Sequence, residues 1–356
     1  MNRRLTGIVL LLLIAAVVHA QPSLRIADSI RRHYRIPELA YAVIKADTIL
    51  DMAATGVKKK GSSAKANLQD RFHIGSNTKA ITAFIAARLV AQQQISWHTT
   101  FFSLFPELKK ERIDTSVDYA LDDLLSFRAA LPPYTYTVRS PLREQITGNE
   151  PQQRYALAQY LLRQKPVAPD EGFYLTNTGY ILAGLMLEKA SGRSYKTLVK
   201  ELGDTLGIAF GFGYPNGTDT LQTWGHDAVG NPLAPFDHYK LDWLLSAGNI
   251  NITLPDYARF IQEFLKPVPS LLSRAVTDQL LYGRPGFAYG WFTEKDSAGR
   301  YLVASNEGNA GAFITRVQVV KEQNIAFIIF TNAATAATAK GIDVLLTALK
   351  RTYEQP

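Results

Sequence analysis

Segments that favour β-strands occur near both ends of this chain, and the long stretch between them favours helices. Residues 39–45 and 48–55 near the start, and residues 289–293, 312–320 and 324–331 near the end, are rich in β-branched and aromatic residues. Sequential strands usually pair with their neighbours, so these segments predict one antiparallel sheet built from both ends of the chain. The stretch between them is then an insertion.

Helical spacing of apolar residues completes this prediction. The clearest helices are residues 22–34, 76–93, 153–164, 177–191, 255–265 and 338–353. The predicted fold class is therefore α+β: an antiparallel sheet with flanking terminal helices plus an inserted, mainly helical domain. Residues 21–75 and 266–356 would form the sheet domain and residues 76–265 the helical domain, with a functional site in the groove between them.

The first twenty residues have the pattern of a secretory signal peptide. Arg3 and Arg4 precede an apolar run over residues 7–18, and a small residue, Ala20, follows. This run is shorter than the roughly 20 residues that span a bilayer. We therefore expect residues 1–20 to be removed, leaving a periplasmic or secreted protein with no stable membrane anchor.

Composition limits the remaining choices of function. The chain has no cysteine, so no disulfide holds it together, and its six histidines are not paired at metal-ligand spacing. The glycine-rich segment 211–217 has the wrong spacing for a dinucleotide loop. The net charge of +8 is diffuse apart from the lysines at 58–60, which makes nucleic acid a poor partner for an exported protein. We predict neither a metal nor another cofactor.

The chemistry most clearly suggested by the residues is a Ser-x-x-Lys pair, which occurs twice. Ser62 and Lys65 lie in a polar loop, where the lysine would be hydrated, whereas Ser76 and Lys79 begin an apolar helix. At that spacing the two side chains share a helix face. Burial would lower the pKa of Lys79 enough for it to act as a base. The spacing alone fits a serine helix cap equally well. His73 is interpreted as a core or edge residue, because its offset from Ser76 points it to the opposite side of a strand.

Six segments in order resemble the serine β-lactamase and penicillin-binding-protein superfamily, specifically its class C and DD-peptidase-like branch. These are FHIGSNTKAITAFIAARLV at 72–90, LDDLLSFRAALP at 121–132, FYLTNTGYILAGLMLEKASG at 173–192, SAGNINITLPDYARFIQEFL at 246–265, YGW at 289–291 and NEGNAGAF at 306–313. The fold of that superfamily is similar to the layout predicted above.

The resemblance implies a role for each matching position. Ser76 would attack a carbonyl to form an acyl-enzyme, and Lys79 would accept its proton. Asn177 would hold Lys79 and a substrate amide, and the backbone N–H groups of Ser76 and Asn309 would form the oxyanion hole. The implied substrate-binding residues are Asn306, Gly308 and Tyr174.

The chain departs from the family pattern at two residues that normally move protons or carry charge. The second motif is usually Tyr-x-Asn, but here Leu175 precedes Thr176 and Asn177. Tyr174, one residue away, or Tyr134 and Tyr136 in a nearby loop are candidate substitutes. The third motif usually begins with Lys or His and here begins with Asn306. In the segment at 121–132, an Ala129-Ala130 pair replaces the usual Ser-Gly.

Two functional hypotheses follow. The first is an exported serine hydrolase that acts through an acyl-Ser76 intermediate on an ester, an amide or a peptide, including peptides derived from peptidoglycan. The alternative is a catalytically impaired homologue that binds a peptide, a cell-wall fragment or a partner in the same cleft. Asn306 makes true β-lactamase activity the weaker expectation, because the third-motif region normally recognises the β-lactam carboxylate.

Overall fold

A computed structural model describes residues 22–112, 117–170, 172–235, 239–266, 268, 271–295 and 298–354. The predicted signal peptide and His238 lie outside these described residues. Among the helices of this part of the chain, none combines the length and the apolar character needed to cross a membrane.

The main sheet has six antiparallel strands, drawn from both ends of the chain. In sequence order they are β1 (Glu38–Ile44), β2 (Ile49–Gly56), β6 (Phe292–Lys295), β7 (Tyr301–Asn309), β8 (Ile314–Val320) and β9 (Ile325–Thr331). Their spatial order is β2-β1-β9-β8-β7-β6. The central pair, β1 and β9, is buried at every position, because helices cover both faces of the sheet.

A second, smaller sheet was not expected from the sequence. Its strands are β3 (Arg71–His73), β4 (Gly211–Phe212) and β5 (Ile250–Thr253), in the order β3-β5-β4. The short strand β3 therefore pairs with a strand from the middle of the chain. The residue that follows β3 is also hydrogen-bonded to β5, since Ile74 N donates to Ile250 O at 2.9 Å.

Thirteen α-helices occur in the described residues. They are α1 (Pro22–His33), α2 (Thr78–Ala91), α3 (Phe101–Leu104), α4 (Leu121–Leu125), α5 (Glu150–Leu162), α6 (Asn177–Ser191), α7 (Tyr195–Leu206), α8 (Pro215–Thr218), α9 (Tyr239–Trp243), α10 (Leu245–Gly248), α11 (Leu254–Leu265), α12 (Arg274–Tyr282) and α13 (Ala336–Tyr353). Four 3₁₀ turns accompany them, at Gly75–Asn77, Pro106–Glu111, Arg143–Gln145 and Lys321–Gln323.

Side chains alternate across the main sheet between two apolar layers. On one face, Tyr41 of β1 and Phe327 of β9 pack with the terminal helices α1 and α13. On the other face, Ala42 and Ile328 belong to the larger core shared with the helices of the middle of the chain. The α+β fold class is confirmed, with an antiparallel sheet flanked by terminal helices and helices inserted between its halves.

The strand expected at residues 289–293 is wrong in its first half. Strand β6 begins at Phe292, because Gly290 has φ +90 and interrupts extended backbone. A Cβ atom on Gly290 would lie 2.6 Å from the backbone nitrogen of Ala80. This close approach brings the chain before β6 against the first turn of α2.

Candidate active site

Ser76 lies in the 3₁₀ turn Gly75–Asn77, between strand β3 and helix α2. Gly75 adopts φ +49, and its amide donates to Nδ1 of His73 at 3.2 Å. The other ring nitrogen of His73 contacts Oδ1 of Asn249 at 3.0 Å, and the ring is buried. His73 is therefore a core residue, as its spacing predicted, and it also supports the turn.

Lys79 lies in the first turn of α2 with 5% of its surface exposed. Its Nζ lies 3.0 Å from Ser76 Oγ, 2.8 Å from Asn177 Oδ1 and 2.7 Å from the carbonyl oxygen of Ala247. Burial disfavours the charged ammonium and lowers the pKa of Lys79 from its ordinary value of 10.5 to about 7. The helix-cap alternative does not describe this serine, since no side-chain cap hydrogen bond occurs at this helix start.

Asn177 is the first residue of α6, and Thr176 caps that helix by accepting from the amide of Thr178. The side-chain amide of Asn177 donates to the carbonyl oxygen of Tyr134 at 3.0 Å. This bond fixes which end of the amide carries oxygen, and it aims Oδ1 at Lys79. The structure brings Asn177 beside Lys79, the neighbour that the family resemblance implied, whereas the carbonyls of Tyr134 and Ala247 have no sequence signature.

Strand β7 carries the third motif and lies directly against the Ser76 turn. A Cβ atom on Gly308 would lie 1.8 Å from the carbonyl oxygen of Ile74, and one on Gly75 would lie 2.7 Å from the amide nitrogen of Asn309. Glycine at both positions is what allows the strand and the turn to come this close.

The register of β7 and β8 determines where the amide of Asn309 points. Ala310 N donates to Phe313 O at 3.3 Å, which makes these two residues a hydrogen-bonded pair. Bonded and non-bonded pairs alternate along an antiparallel ladder, so Asn309 and Ile314 form the next, non-bonded pair. The N–H of Asn309 therefore points away from β8. Strand β6 begins at Phe292, opposite Ser305, and so does not pair with Asn309, whose N–H faces the turn that holds Ser76.

Asn306 is 4% exposed and uses its side chain within the protein. Its Nδ2 donates to the carbonyl oxygen of Gly290 at 2.6 Å and to that of Ser76 at 3.3 Å. The residue that replaces the usual cation of the third motif thus joins β7, the Gly290 turn and the serine.

The tyrosines considered as substitutes for the missing one differ in position. Leu175 itself is 51% exposed and lines the cleft. Tyr174 is partly buried, lies outside the cleft lining, and donates its backbone N–H to Phe127 O. The hydroxyl of Tyr134 is buried, and this burial raises its pKa. Burial also raises the pKa of Tyr136, whose ring packs near Gly311.

These groups open onto a cleft of about 430 Å³. Ser76, Lys79, Asn177 and Asn306 line it together with residues 127, 133–135, 138, 175–176, 287, 292 and 307. The three phenylalanines of this lining, Phe127, Phe287 and Phe292, were not recognised from the sequence. The second Ser-x-x-Lys pair is elsewhere, with Lys65 on the exposed loop after β2.

Within the described ranges, no group of three or more histidine, aspartate or glutamate side chains could hold a metal ion.

The fold has close counterparts among solved structures. The octameric penicillin-binding protein homologue from Pyrococcus abyssi has a TM-score of 0.73 at 19% identity, covering 89% of this chain and 74% of that one. The D-alanine carboxypeptidase AmpC from Burkholderia cenocepacia has a TM-score of 0.71 at 18% identity, covering 92% and 97%. At these identities the likeness shows the fold.

Sequence comparison places the chain in a family. Unguisins hydrolase ungD from Aspergillus violaceofuscus (strain CBS 115571) is 23% identical over 254 residues, which cover 67% of this chain and 43% of that protein. The chain thus spans less than half the length of this relative. The family model described as Beta-lactamase matches residues 24–350. Because that match covers most of the sequence, the resemblance noted from the six segments is confirmed, and the chain belongs to the Beta-lactamase family.

Proposed function

We propose that this protein is an exported serine hydrolase that cleaves an ester, amide or peptide bond through an acyl-Ser76 intermediate, with Lys79 as the general base. The observation that carries the proposal is the 3.0 Å contact between Lys79 Nζ and Ser76 Oγ. Burial lowers the pKa of Lys79 to about 7, so a large fraction of the amine is neutral near neutral pH. Membership of the Beta-lactamase family supports the same reaction class.

The contacts of Lys79 can also be satisfied by the neutral, basic form of the amine. A neutral amine has two N–H groups and one lone pair, whereas the ammonium has three N–H groups. Two fixed acceptors, Asn177 Oδ1 and Ala247 O, use two N–H groups. In the neutral form the lone pair is then left for Ser76, whose hydroxyl donates to it.

The reaction can proceed with Lys79 as the single proton carrier. Its lone pair takes the hydroxyl proton while Ser76 Oγ bonds to the substrate carbonyl carbon. The resulting ammonium gives that proton to the departing alcohol or amine as the tetrahedral intermediate collapses to the acyl-enzyme. Lys79, neutral again, takes a proton from water, whose oxygen attacks the acyl carbonyl, and returns it to Ser76 Oγ as the acid leaves. General acid–base transfer of this kind contributes about 10²–10⁴ in rate.

The negative charge that develops on the carbonyl oxygen requires donors. The backbone N–H groups of Ser76 and Asn309 are proposed as the oxyanion hole, each worth about 2.7–4 kcal/mol of transition-state stabilisation. The contact of Gly75 with the Asn309 amide and the direction of that N–H support this assignment.

A second candidate function is binding without turnover. Its support is the exposed side chain of Leu175 at the position where the family has a tyrosine, because leucine cannot transfer a proton. In this case the cleft would hold a peptide, a cell-wall fragment or a partner protein, and Ser76 would remain unmodified.

Intact mass spectrometry separates the two candidates. The protein is incubated with a fluorophosphonate and with a labelled penicillin, alongside a Ser76→Ala variant. We expect a covalent adduct of one probe on the wild type, located at Ser76, and none on the variant. If the wild type gains no adduct from either probe, the binding function replaces the hydrolase.

Export is the part of the proposal that concerns localisation. It is supported by the charged and apolar pattern of residues 1–20. Expression of the full chain in a bacterial host, followed by N-terminal sequencing of periplasmic and medium fractions, should give a mature protein that starts near Gln21. Recovery of the intact chain only from the cytoplasm would contradict export.

A further inference from the structure

The wall of the cleft beside Ser76 is predominantly apolar. Its apolar members are Phe127, Pro133, Val138, Leu175, Phe287 and Phe292. Ligand sites usually combine such a wall with a few polar groups that fix orientation. Here Ser76, Lys79 and Asn177 are assigned to the reacting atoms, so the apolar wall is available for the part of a substrate that flanks the scissile bond.

Three aromatic rings in this wall pack against one another. The rings of Phe127 and Phe287 have centroids 4.5 Å apart, and those of Phe287 and Phe292 are 5.0 Å apart. Phe127 adopts φ +61, a conformation that bulky residues rarely take. Strained backbone of this kind concentrates at ligand clamps, where the surrounding structure maintains it. The surrounding core holds this ring: Phe127 and Phe287 are 4% and 2% exposed, so they back the wall, and the partly buried Phe292 and the exposed Leu175 present most of its accessible surface.

Leu175 extends the same wall toward solvent. Leu175 is 51% exposed and lines the cleft. A ligand with an apolar group would cover this leucine and remove it from water, which favours binding. A charged group placed there would lose its hydration without gaining a partner.

Positive charge is scarce along this cleft. Among the lining residues that the structure describes, Lys79 is the one cationic side chain, and it is engaged by Ser76, Asn177 and Ala247. Arg128, behind the aromatic wall, donates to the carbonyl oxygens of Ser126, Phe287 and Pro285.

The third-motif strand adds no attraction for an anion. Its lining residues are Asn306, whose Nδ2 is used within the protein, and Glu307, an exposed carboxylate paired with Arg316. A free carboxylate on the substrate would meet Glu307 in the lining and no unengaged cation among the described lining residues.

From this arrangement, and resting on the proposed hydrolase function, we infer that the substrate is an uncharged ester or amide that carries an aromatic or branched apolar group beside the scissile carbonyl and no free carboxylate. The aromatic wall and Leu175 receive the apolar group. The described lining has no free cation, and its one carboxylate, Glu307, is already paired with Arg316, so a substrate carboxylate would gain no partner there.

Three esters test this inference, because each differs from its neighbour in one feature. Phenyl acetate lacks the apolar group, phenyl phenylacetate carries it, and 3-carboxyphenyl phenylacetate adds a carboxylate to the leaving group. We expect kcat/KM for phenyl phenylacetate to exceed that of each of the other two by about tenfold or more. Equal or faster hydrolysis of the carboxylated ester, or of phenyl acetate, would overturn the inference.

A matched pair of variants tests the role of the wall. Leu175→Gln should lower the ratio of kcat/KM for phenyl phenylacetate over phenyl acetate by about tenfold. Leu221→Gln, at a leucine that is 80% exposed and outside the cleft lining, should leave that ratio unchanged. An unchanged ratio in the Leu175 variant would remove this residue from the binding wall and contradict the inference.

Equilibrium binding separates this inference from the proposed function. The Ser76→Ala variant should retain the cleft and bind the esters without cleaving them, so calorimetry gives their Kd values. If the wild type hydrolyses none of the esters and Ser76 is never acylated, the proposed function fails. Tighter binding of phenyl phenylacetate than of its carboxylated analogue would still support the inference, and the opposite order would overturn it.

Discussion

The side-chain amide of Asn306 donates a hydrogen bond to the backbone carbonyl oxygen of Gly290 at 2.6 Å. The same nitrogen reaches the carbonyl oxygen of Ser76 at 3.3 Å, and Gly290 packs against the backbone of α2 just after Lys79. The Asn306 amide therefore connects strand β7 to Ser76 directly, and to the start of α2 through Gly290. In this chain the position serves the geometry of the nucleophile.

Replacing Asn306 should therefore affect stability and acylation together. In Asn306→Ala the buried carbonyl of Gly290 loses its donor, which costs about 1–3 kcal/mol of the free energy of unfolding. The position of Ser76 also loses a support, so we expect acylation by a fluorophosphonate to slow by about tenfold or more. Urea unfolding and time-resolved mass spectrometry measure the two effects. Wild-type values for both would show that the amide does not hold the turn.

Acylation should follow the titration of Lys79. Because burial lowers the pKa of Lys79 to about 7, the amine is protonated and unable to accept a proton below that pH, and it is neutral above it. The rate of acylation should therefore rise with pH through about 7 and then level off. A rise that begins only near pH 10 would mean that the lysine titrates like an exposed one.

A variant that lacks the Lys79 amine tests the same role as a base. Lys79→Met should slow acylation by about 10²–10⁴ and abolish the rise near pH 7. Lys65→Met is the matched control, since Lys65 belongs to the other Ser-x-x-Lys pair and lies on an exposed loop. It should keep the rate and the pH profile of the wild type. Retention of the rise in the Lys79 variant would indicate another base.

Sequence reasoning succeeded where local signals agree with the tertiary fold. The helix predicted over 177–191 is α6, because Thr176 caps its start and Gly192 ends it in a left-handed conformation. The strand segments of β1 and β9 were found because they are almost entirely apolar and buried in the centre of the sheet, and that of β8 because it is rich in β-branched residues.

The missed features depend on contacts between distant parts of the chain. Strand β7 has polar residues at 305–307 and 309, so its composition resembles a loop, although the chain at 304, 306 and 308 faces the core. The carbonyl oxygens of Ala247 and Tyr134 position Lys79 and Asn177. Every residue carries such an oxygen, so composition cannot single one out. Only the folded backbone selects these two.

Gly308 should tolerate no side chain. A Cβ atom at this position would lie 1.8 Å from the carbonyl oxygen of Ile74, so Gly308→Ala must push β7 away from the Ser76 turn. We expect a loss of about 1–3 kcal/mol in the free energy of unfolding and, from the displaced Asn309 amide, a loss of about 10²–10³ in acylation rate.

The matched control for this change is Gly217→Ala. A Cβ atom on Gly217 would meet no neighbouring atom within 4 Å, and the residue lies in the short helix α8. The unfolding midpoint and acylation rate of this variant should stay near those of the wild type. If Gly308→Ala and Gly217→Ala behave alike, the close approach of β7 to the serine turn is not required for reactivity.

The stability of the protein should also depend on a buried carboxyl far from the proposed chemistry. Glu38 begins β1, is fully buried, and faces Asp70, which pairs with Lys58 at 2.6 Å. Burial, together with the neighbouring Asp70 carboxylate, raises the pKa of Glu38 well above its ordinary value of 4.5. Glu38 therefore keeps its proton in the folded protein at pH values where the unfolded chain has lost it.

This difference in proton binding gives the sign of the pH dependence. Above about pH 4.5 the folded state binds more protons than the unfolded state at this site, so Glu38 lowers stability by up to about 1.4 kcal/mol per pH unit until its folded pKa is passed.

Glu38→Gln keeps the shape and a donor toward Asp70 but removes the titration, so its stability should fall less than that of the wild type between pH 5 and pH 8. Urea unfolding at the two pH values measures this, with Glu144→Gln, an exposed site, as the control that should keep the wild-type slope. A Glu38→Gln variant with an unchanged slope would place the origin of the pH dependence at another group.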